Sequence, residues 1–347
     1  MARFSFRGVR SEEERPGRVA RDRVCRPAVK SATLAKDHPT GHDARMSSPG
    51  RPPVRSRPGR RGRSGAITAS ALLALVVAVA AARFATRPAP ARTADGTLTV
   101  ATWNMCGVRQ WNCSATGGAA AKNTALRRLV TADGARVLLL QEACSGDLEA
   151  ARRSLGRSWR LAFQPYSLRD RTGRTTAVRC TGDGRGTAGF AVLSAHPLTA
   201  VRVVPSPQPV AGLRRGILCA TVAVLDVRVC AAHLTLPGGD AAHPNWEYRD
   251  DQLKALVAAV PERRTVFGGD FNLAPPDGHD PAAWVWPGAA FHVYRECDQD
   301  ASSQPRNTHA SGHKLDYLFT ALPRVSCAVR ETGVSDHRAL LLKVRTG

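Results

Sequence analysis

Residues 97–347 predict a layered α/β fold. Short apolar strands recur from Thr97 onward, amphipathic helices stand between several of them, and the strands Ile217–Val224 and Val227–Leu234 are spaced as a hairpin. A hairpin demands antiparallel pairing, whereas strands separated by a helix can run parallel. The mixture calls for mixed sheets with helices on their faces, not a purely parallel sheet.

The elements follow in chain order. Thr97–Thr102 (TLTVAT) reads as a strand, and Lys122–Thr131 sets Leu126, Leu129 and Val130 on one helical face. Val137–Gln141 (VLLLQ) reads as a buried strand, and Thr187–Ser194 as another ahead of the hairpin. In Arg249–Val260, Leu253, Leu256, Val257 and Val260 fall at i, i+3, i+4 and i+7, and Pro261 ends the helix. Strands recur at Thr265–Asp270, Lys314–Thr320 and Arg338–Val344. No internal repeat is present.

The first 96 residues are of a different kind. They supply +13 of the formal charge of +22, from 20 Lys+Arg and 7 Asp+Glu, and leave about +9 for the folded part. Residues 1–65, rich in Arg, Pro and Ser without apolar periodicity, read as a disordered basic leader. An apolar run then spans Ala71–Ala82, or Ala66–Ala82 if Thr68 and Ser70 are tolerated; Arg55, Arg57, Arg60, Arg61 and Arg63 precede it. Ala89-Pro90-Ala91 follows as a small-residue cleavage site, so residues 66–91 describe a secretory signal. A spanning helix needs about 20 apolar residues, and an uncleaved anchor with the folded domain outside is the alternative. Arg60-Arg61 lacks the surroundings of a twin-arginine signal. Secretory signals sit at the extreme N-terminus; starting at Met46 would put the basic segment there, with residues 1–45 a misassigned start.

Nine cysteines are present, of which Cys25 lies in the leader. The other eight are an even set behind a secretion signal, which favours disulfides. No C-x-x-C pair suggests a zinc knuckle. Eight cysteines allow 105 connectivities, yet the hairpin puts Cys219 and Cys230 almost opposite each other, within bridging reach. Cys297 and Cys327, flanking a strand, are the next candidate pair. The excess of about +9 has two readings. A GC-rich coding bias enriches Arg and Ala over Lys, and a polyanionic partner would be steered by the same charge.

The informative polar residues stand at strand ends. They are Asn104 in Thr102-Trp103-Asn104, Glu142 in Gln141-Glu142, His233 before Leu234, Asp270 and Asn272 in Gly268-Gly269-Asp270-Phe271-Asn272, Asp316 in Leu315-Asp316-Tyr317, and Asp336-His337 after Ser335. Taken singly each has a bland reading: a solvated strand end for Glu142, a turn former for Asp270, a cap for Asp336, a satisfied core histidine for His233. Taken together they are what phosphodiester hydrolysis needs. Carboxylate and amide oxygens suit a hard Mg²⁺ or Mn²⁺ ion. A carboxylate can orient or deprotonate water, and imidazoles can hydrogen-bond the charge that develops on phosphoryl oxygens.

The series TWN, QE, HL, GGDFN, LDY and SDHRA resembles the endonuclease/exonuclease/phosphatase superfamily over residues 97–347. That superfamily includes pancreatic-type deoxyribonucleases, abasic endonucleases, sphingomyelinases and inositol-polyphosphate phosphatases. The resemblance implies a four-layer α/β sandwich, two packed mixed β-sheets flanked by helices. It implies Glu142 as principal metal ligand with Asn104 and Asp336 at the metal or its waters, and Asp270 as the group that orients or deprotonates water. Asn272 would hold phosphate and Asp270 in register, His337 would contact the scissile phosphate, oriented by Asp316, and His233 would be a second imidazole on the phosphate. Arg249 and Gln252, in R-x-x-Q, match a weaker feature and read as structural.

The departures are informative. The family strand G-N-A-[IL]-[LF]-S-R is here Gly189-Phe190-Ala191-Val192-Leu193-Ser194-Ala195, without its Asn and Arg, and Thr308-His309 replaces a usual Thr-Trp. The missing aromatic wall and the secretion signal argue against specific abasic-site repair. The leading expectation is a secreted, metal-dependent nuclease or phosphodiesterase, monomeric, with nucleic acid or another phosphodiester as its partner. The alternative is a phosphatase or sphingomyelinase-like phospholipase, for which Trp246, Trp284 and Trp286 are the candidate membrane-contact aromatics. A non-catalytic binding module would have lost Glu142, Asp270 or His337, and all three are present.

Overall fold

Side-chain alternation along the strands decides the architecture. The computed structural model describes residues 96–113, 116–275, 293–298 and 307–347. The expected leader, signal and cleavage site, together with Cys25, Trp284 and Trp286, lie outside the described residues. Among the described residues no helix is long and apolar enough to cross a membrane.

The first sheet is formed by β1 (Thr97–Asn104), β2 (Val137–Cys144), β3 (Arg160–Pro165), β6 (Ala188–Ser194), β14 (Arg324–Arg330) and β15 (Ala339–Arg345), in the order β14-β15-β1-β2-β6-β3. The second is formed by β7 (Leu198–Val204), β9 (Gly216–Val222), β10 (Val227–His233), β11 (Thr265–Asp270), β12 (Arg295–Glu296) and β13 (Asp316–Thr320), in the order β12-β13-β11-β10-β9-β7. Both are mixed: β1 pairs in parallel with β2, and β10 with β11, while the remaining neighbours are antiparallel. A small third sheet joins β4 (Ser167–Arg169), β5 (Thr175–Ala177) and β8 (Gly212–Arg214), in the order β5-β4-β8.

Alternate residues of each strand serve two different cores. Leu98, Val100, Val137, Leu139, Phe190 and Val192 of the first sheet meet Leu218, Ala220, Val229, Ala231 and Val266 of the second in a dry interior. The odd-numbered face of β1, Ala101 and Trp103, instead packs with Leu138 and Leu140 under helices Ala119–Thr131 and Ser145–Leu155, through Leu126, Leu129 and Leu148. On the far side Phe267 and Phe319 pack beneath Leu253 and Leu256 of helix Tyr248–Ala259. Helix, sheet, sheet, helix makes the four layers expected.

The differences from the sequence expectation are local. Helix Ala119–Thr131 starts three residues before Lys122, because Ala119–Ala121 are strong helix formers that add no apolar periodicity. β9 ends at Val222, not Val224, since 223–226 form the turn and Asp226 takes a left-handed φ of 49°. β1 and β2 run on to Asn104 and Cys144, carrying the polar strand ends inside the sheet.

The eight domain cysteines form four disulfides, Cys106–Cys113, Cys144–Cys180, Cys219–Cys230 and Cys297–Cys327. Cys219 and Cys230 are direct cross-strand partners. Peptide mapping without reduction is expected to return these four pairs and no alkylatable thiol in the domain; any other pairing would contradict this connectivity. A second outcome concerns Gly269, whose φ is 141° and whose added Cβ would stand 1.9 Å from the Ala232 carbonyl oxygen. Gly269→Ala is expected to cost roughly 2 kcal/mol or more, from the backbone conformation and the clash together. Equilibrium denaturation measures it.

Candidate active site

The candidate residues meet because one set of strand ends closes the inter-sheet core. Continuing each interior row by its two-residue period leads from Val100 through Thr102 to Asn104, from Ala231 to His233, from Val266 through Gly268 to Asp270, and from Leu318 back to Asp316. β1, β2, β10 and β11 end there and β13 and β15 begin there, since they pair antiparallel with β11 and β1. Apolar side chains fill the layer and polar ones finish it.

Asp270 is at the centre and 1% exposed. Its Oδ2 accepts from Asn104 Nδ2 across the two sheets at 3.0 Å, and its Oδ1 from the Asn272 backbone N–H at 2.9 Å. His233 Nε2 and His337 Nε2 lie 3.4 Å and 3.9 Å from Oδ2. Burial alone would raise this carboxyl, but His337 and the Asn104 and Asn272 donors hold it below the usual carboxylate range.

The two imidazoles are in opposite states. Burial works against a charge on His337, yet Asp316, whose Oδ2 takes its Nδ1–H at 2.8 Å, and Asp270 together push it up to about 10. His337 is therefore a cation with Nε2–H directed to Asp270. His233 is pushed down to about 3 by burial and by the neighbouring Arg215. Arg215 Nε donates to His233 Nε2 at 3.1 Å, which leaves the ring proton on Nδ1, 2.5 Å from the Tyr166 hydroxyl. Positive charge on that flank belongs to the guanidinium.

Glu142 turns into the site through strained backbone. Its φ is 49°, Asn272 has φ 50°, and the β2–β6 register shifts between Leu140 and Ala143. Such positions are sparsely populated for side chains of this kind and persist only where the surroundings hold them. Here Gly107 N–H donates to the Glu142 carbonyl at 2.8 Å, and a Cβ on Gly107 would stand 2.7 Å from that oxygen. The Glu142 carboxyl is pushed up to about 7 by burial and by Asp270, against the opposing charges of His337 and Arg215 and a hydrogen bond from Asn104. Cys113 Sγ lies 3.6 Å from Oε2, but a disulfide sulfur has no proton to give. A half-buried acid that is raised despite these neighbours, beside an amide and a second carboxylate, is a donor set that fits a hard divalent cation.

Asn104, Asp270, His233, Asp316 and His337 thus come together in one buried cluster, with Asn272 bound to it through its backbone and to the Leu234 carbonyl through Nδ2 at 3.0 Å. Asp336 takes a rim position, 3.6 Å from His309 Nε2, with its side chain 41% exposed. Donor atoms within 4.8 Å of one another group Asp336 with His309 and His337, and Asp270 with Asp316 and His337; Glu142 is in neither group. Arg249 is buried, paired with Glu247 at 2.7 Å and bonded to the Asn272 carbonyl, while Gln252 ties Thr235 to Pro207. Both brace the loops after β10 and β11. Trp246 is 47% exposed and packs on His243 and Tyr248.

Two residues escaped the sequence reading. Tyr166, fully buried, accepts from the Glu142 N–H at 3.1 Å and meets His233 on its other side. Arg215 was the findable one: with Cys219 opposite Cys230, the hairpin register sets Gly216 opposite His233, and Arg215 at the same end. Tyr166 offered no such signal, because β3 is too short and too exposed to betray its register. Tyr166→Phe is expected to cost about 1–3 kcal/mol, the range for leaving buried donors unpaired, and to lower turnover by removing the link between Glu142 and His233. Unchanged melting and unchanged turnover together would show that the hydroxyl holds neither.

Comparison with known proteins bears on the family and the fold. Residues 101–337 match the model of the Endonuclease/Exonuclease/phosphatase family. No curated protein sequence matches the chain. Among solved structures, an endonuclease/exonuclease/phosphatase family protein from Leptotrichia buccalis C-1013-b is similar at a TM-score of 0.50 and 16% identity, over 71% of this chain and 99% of that one. The human Nocturnin catalytic domain with bound sulfate gives 0.49 at 16%, over 72% and 93%, and an AP endonuclease from Archaeoglobus fulgidus gives 0.49 at 16%, over 71% and 98%. The Leptotrichia structure shows the shared fold; the match across residues 101–337 carries the assignment, and the chain belongs to the endonuclease/exonuclease/phosphatase family.

Proposed function

We propose that the protein is a secreted, divalent-metal-dependent phosphodiesterase whose substrate is nucleic acid. One observation carries the chemistry: a buried, ionised Asp270 set between the His337 cation and the Arg215–His233 pair, beside the acid Glu142. Nucleic acid is favoured over other phosphodiesters by the folded part's excess of about +9. Secretion is supported by the signal-like segment 66–91 and by four disulfides, which persist in oxidising compartments.

In this reading Glu142 would be the principal holder of a Mg²⁺ or Mn²⁺ ion, with Asn104 and Asp336 nearby at the metal or its waters. When bound, the ion would offset charge on the phosphoryl oxygens. Asp270, kept ionised and fixed by Asn104 and the Asn272 N–H, takes a proton from the attacking water as its oxygen bonds to phosphorus; the P–O bond to the leaving group breaks, and the leaving oxygen takes a proton from solvent. His337 donates from Nε2 to a phosphoryl oxygen, and Asp316 holds its ring in place at Nδ1. Arg215 supplies charge from the other flank, while neutral His233 orients it.

The test is a parallel assay of the protein on plasmid DNA, RNA, bis-p-nitrophenyl phosphate and sphingomyelin, with and without chelator. Nucleic acid and the small diester are expected to be cleaved, with activity lost in EDTA and restored by Mg²⁺ or Mn²⁺. Asp270→Asn is expected to lose about 10²–10⁴-fold in turnover, the range for a general base, with the circular-dichroism spectrum unchanged. Full activity after exhaustive chelation would refute the metal role, and exclusive cleavage of sphingomyelin would move the substrate to the lipid class.

A further inference from the structure

Residues 166–185 carry five arginines against two aspartates. Neither aspartate forms a salt bridge with these arginines among the described residues, although the Asp170 charge is felt by Arg174. Asp170 spends its Oδ1 on its own turn, accepting from the Thr172 N–H, the Thr172 hydroxyl and the Arg174 N–H. Asp183 forms no salt bridge among the described residues. Arg185 is committed to Asp147 at 2.7 Å. Arg171, Arg174 and Arg179 are exposed and enter no salt bridge among the described residues.

This basic segment is rooted in the active site at three points. β4 begins at the residue after Tyr166, and β8 ends at the residue before Arg215; both of those residues touch His233. Arg179 precedes Cys180, which is bonded to Cys144, two residues beyond Glu142, and the Arg179 carbonyl accepts from Gln110 Nε2 at 2.6 Å. Between the small sheet and the loop after β10 runs a groove of about 600 Å³ that includes Leu168, Leu213, Arg171, Arg215 and Thr235. Leu168 and Leu213 are cross-strand partners on one face of the sheet, and Leu168 is 47% exposed. Thr235 lies two residues past His233, so the groove opens at the catalytic centre.

We propose that the sheet β5-β4-β8 is a nucleic-acid-binding arm: Arg171, Arg174 and Arg179 take the phosphates flanking the scissile one, and the leucine-lined groove takes bases. The proposal rests on the phosphodiesterase reading and names where that substrate lies. The groove favours a strand of nucleic acid over a membrane, because its leucines line a concavity that a flat bilayer does not enter. Guanidinium groups on an exposed hairpin can follow a flexible polyanion, and each phosphate neutralised releases counterions.

The experiment uses the full chain and Arg171→Ala/Arg174→Ala/Arg179→Ala, none of which is placed in the catalytic machinery. Binding of a fluorescent single-stranded oligonucleotide is measured in EDTA across a salt series, and cleavage of that oligonucleotide and of bis-p-nitrophenyl phosphate in Mg²⁺. The triple variant is expected to bind at least about tenfold more weakly and to lose about 2 from the slope of log K against log salt, three phosphates at roughly 0.7 each. Hydrolysis of the small diester, which has no flanking phosphates, is expected to stay at the wild-type rate, and replacement of the three by Lys to restore most of the binding. Unchanged oligonucleotide affinity and slope would overturn the proposal. So would loss of binding to phosphatidylglycerol vesicles with oligonucleotide binding kept, which would make the surface a membrane contact. If the wild type cleaved neither substrate, the catalytic reading would fall, and the binding series in EDTA would still decide the arm.

Discussion

The cost of keeping one carboxylate ionised in a dry interior shapes everything around it. Asp270 closes a layer otherwise filled by Val, Leu and Ala, where an uncompensated charge would take up a proton. It stays charged because donors reach it from both sheets: Asn104 from β1, the Asn272 N–H from its own loop, and the His337 cation from the segment ahead of β15. These contacts also lock the two sheets at one end. Catalytic geometry and sheet packing are thus set by the same few hydrogen bonds.

The charge balance is divided between two neighbours of unlike kind. Asp316 holds His337 protonated, while Arg215 and burial hold His233 neutral, so two histidines on either side of one carboxylate do different work. Glu142 forms no salt bridge among the described residues, the cations His337 and Arg215 acting on it only from a distance, and its backbone conformation is held by several contacts. Gly107 packs on its carbonyl, Tyr166 takes its N–H, and the disulfides Cys106–Cys113 and Cys144–Cys180 fasten the chain on both sides. Buried Lys122 adds to this by donating to the Met105 and Val334 carbonyls, joining the loop after β1 to the loop that carries Asp336 and His337. A site built on strand ends still needs its loops held, and covalent bonds do so where the apolar core has run out.

What the sequence disclosed follows from which signals are local. The interior rows of β1, β10 and β11 alternate with period two and end in polar residues, so Asn104, His233 and Asp270 could be read off as strand-end chemistry. The hairpin register that pairs Cys219 with Cys230 was equally legible, and its extension reaches Arg215. Helix Ser145–Leu155 was not, since only Leu148 and Ala151 are fully buried, and two buried positions three apart are too few to mark a helical stripe. β7 and β14 are largely exposed edge strands, without the apolar alternation that marks a half-buried one. Tyr166 is a tertiary fact: its value comes from meeting Glu142 and His233, which are 24 and 67 residues away.

The same division separates chemistry from recognition. Residues that act on a phosphorus must be fixed to fractions of an ångström, and the proposed site meets that demand with Asn104, His233, Asp270, Asp316 and His337 buried where the strands of two sheets determine their backbone. Residues that hold a polyanion need only charge and reach, and Arg171, Arg174 and Arg179 lie exposed in the turn between β4 and β5 and just past β5. Long-range attraction falls off over about 8–10 Å in physiological salt, so a basic surface guides a substrate only if it adjoins the place of reaction. Tyr166 and Arg215 make it adjoin: each contacts His233 with its side chain and continues into the small sheet with its backbone. A chain that selected among family substrates by altering this appendage could leave Asn104, Glu142, Asp270 and His337 untouched.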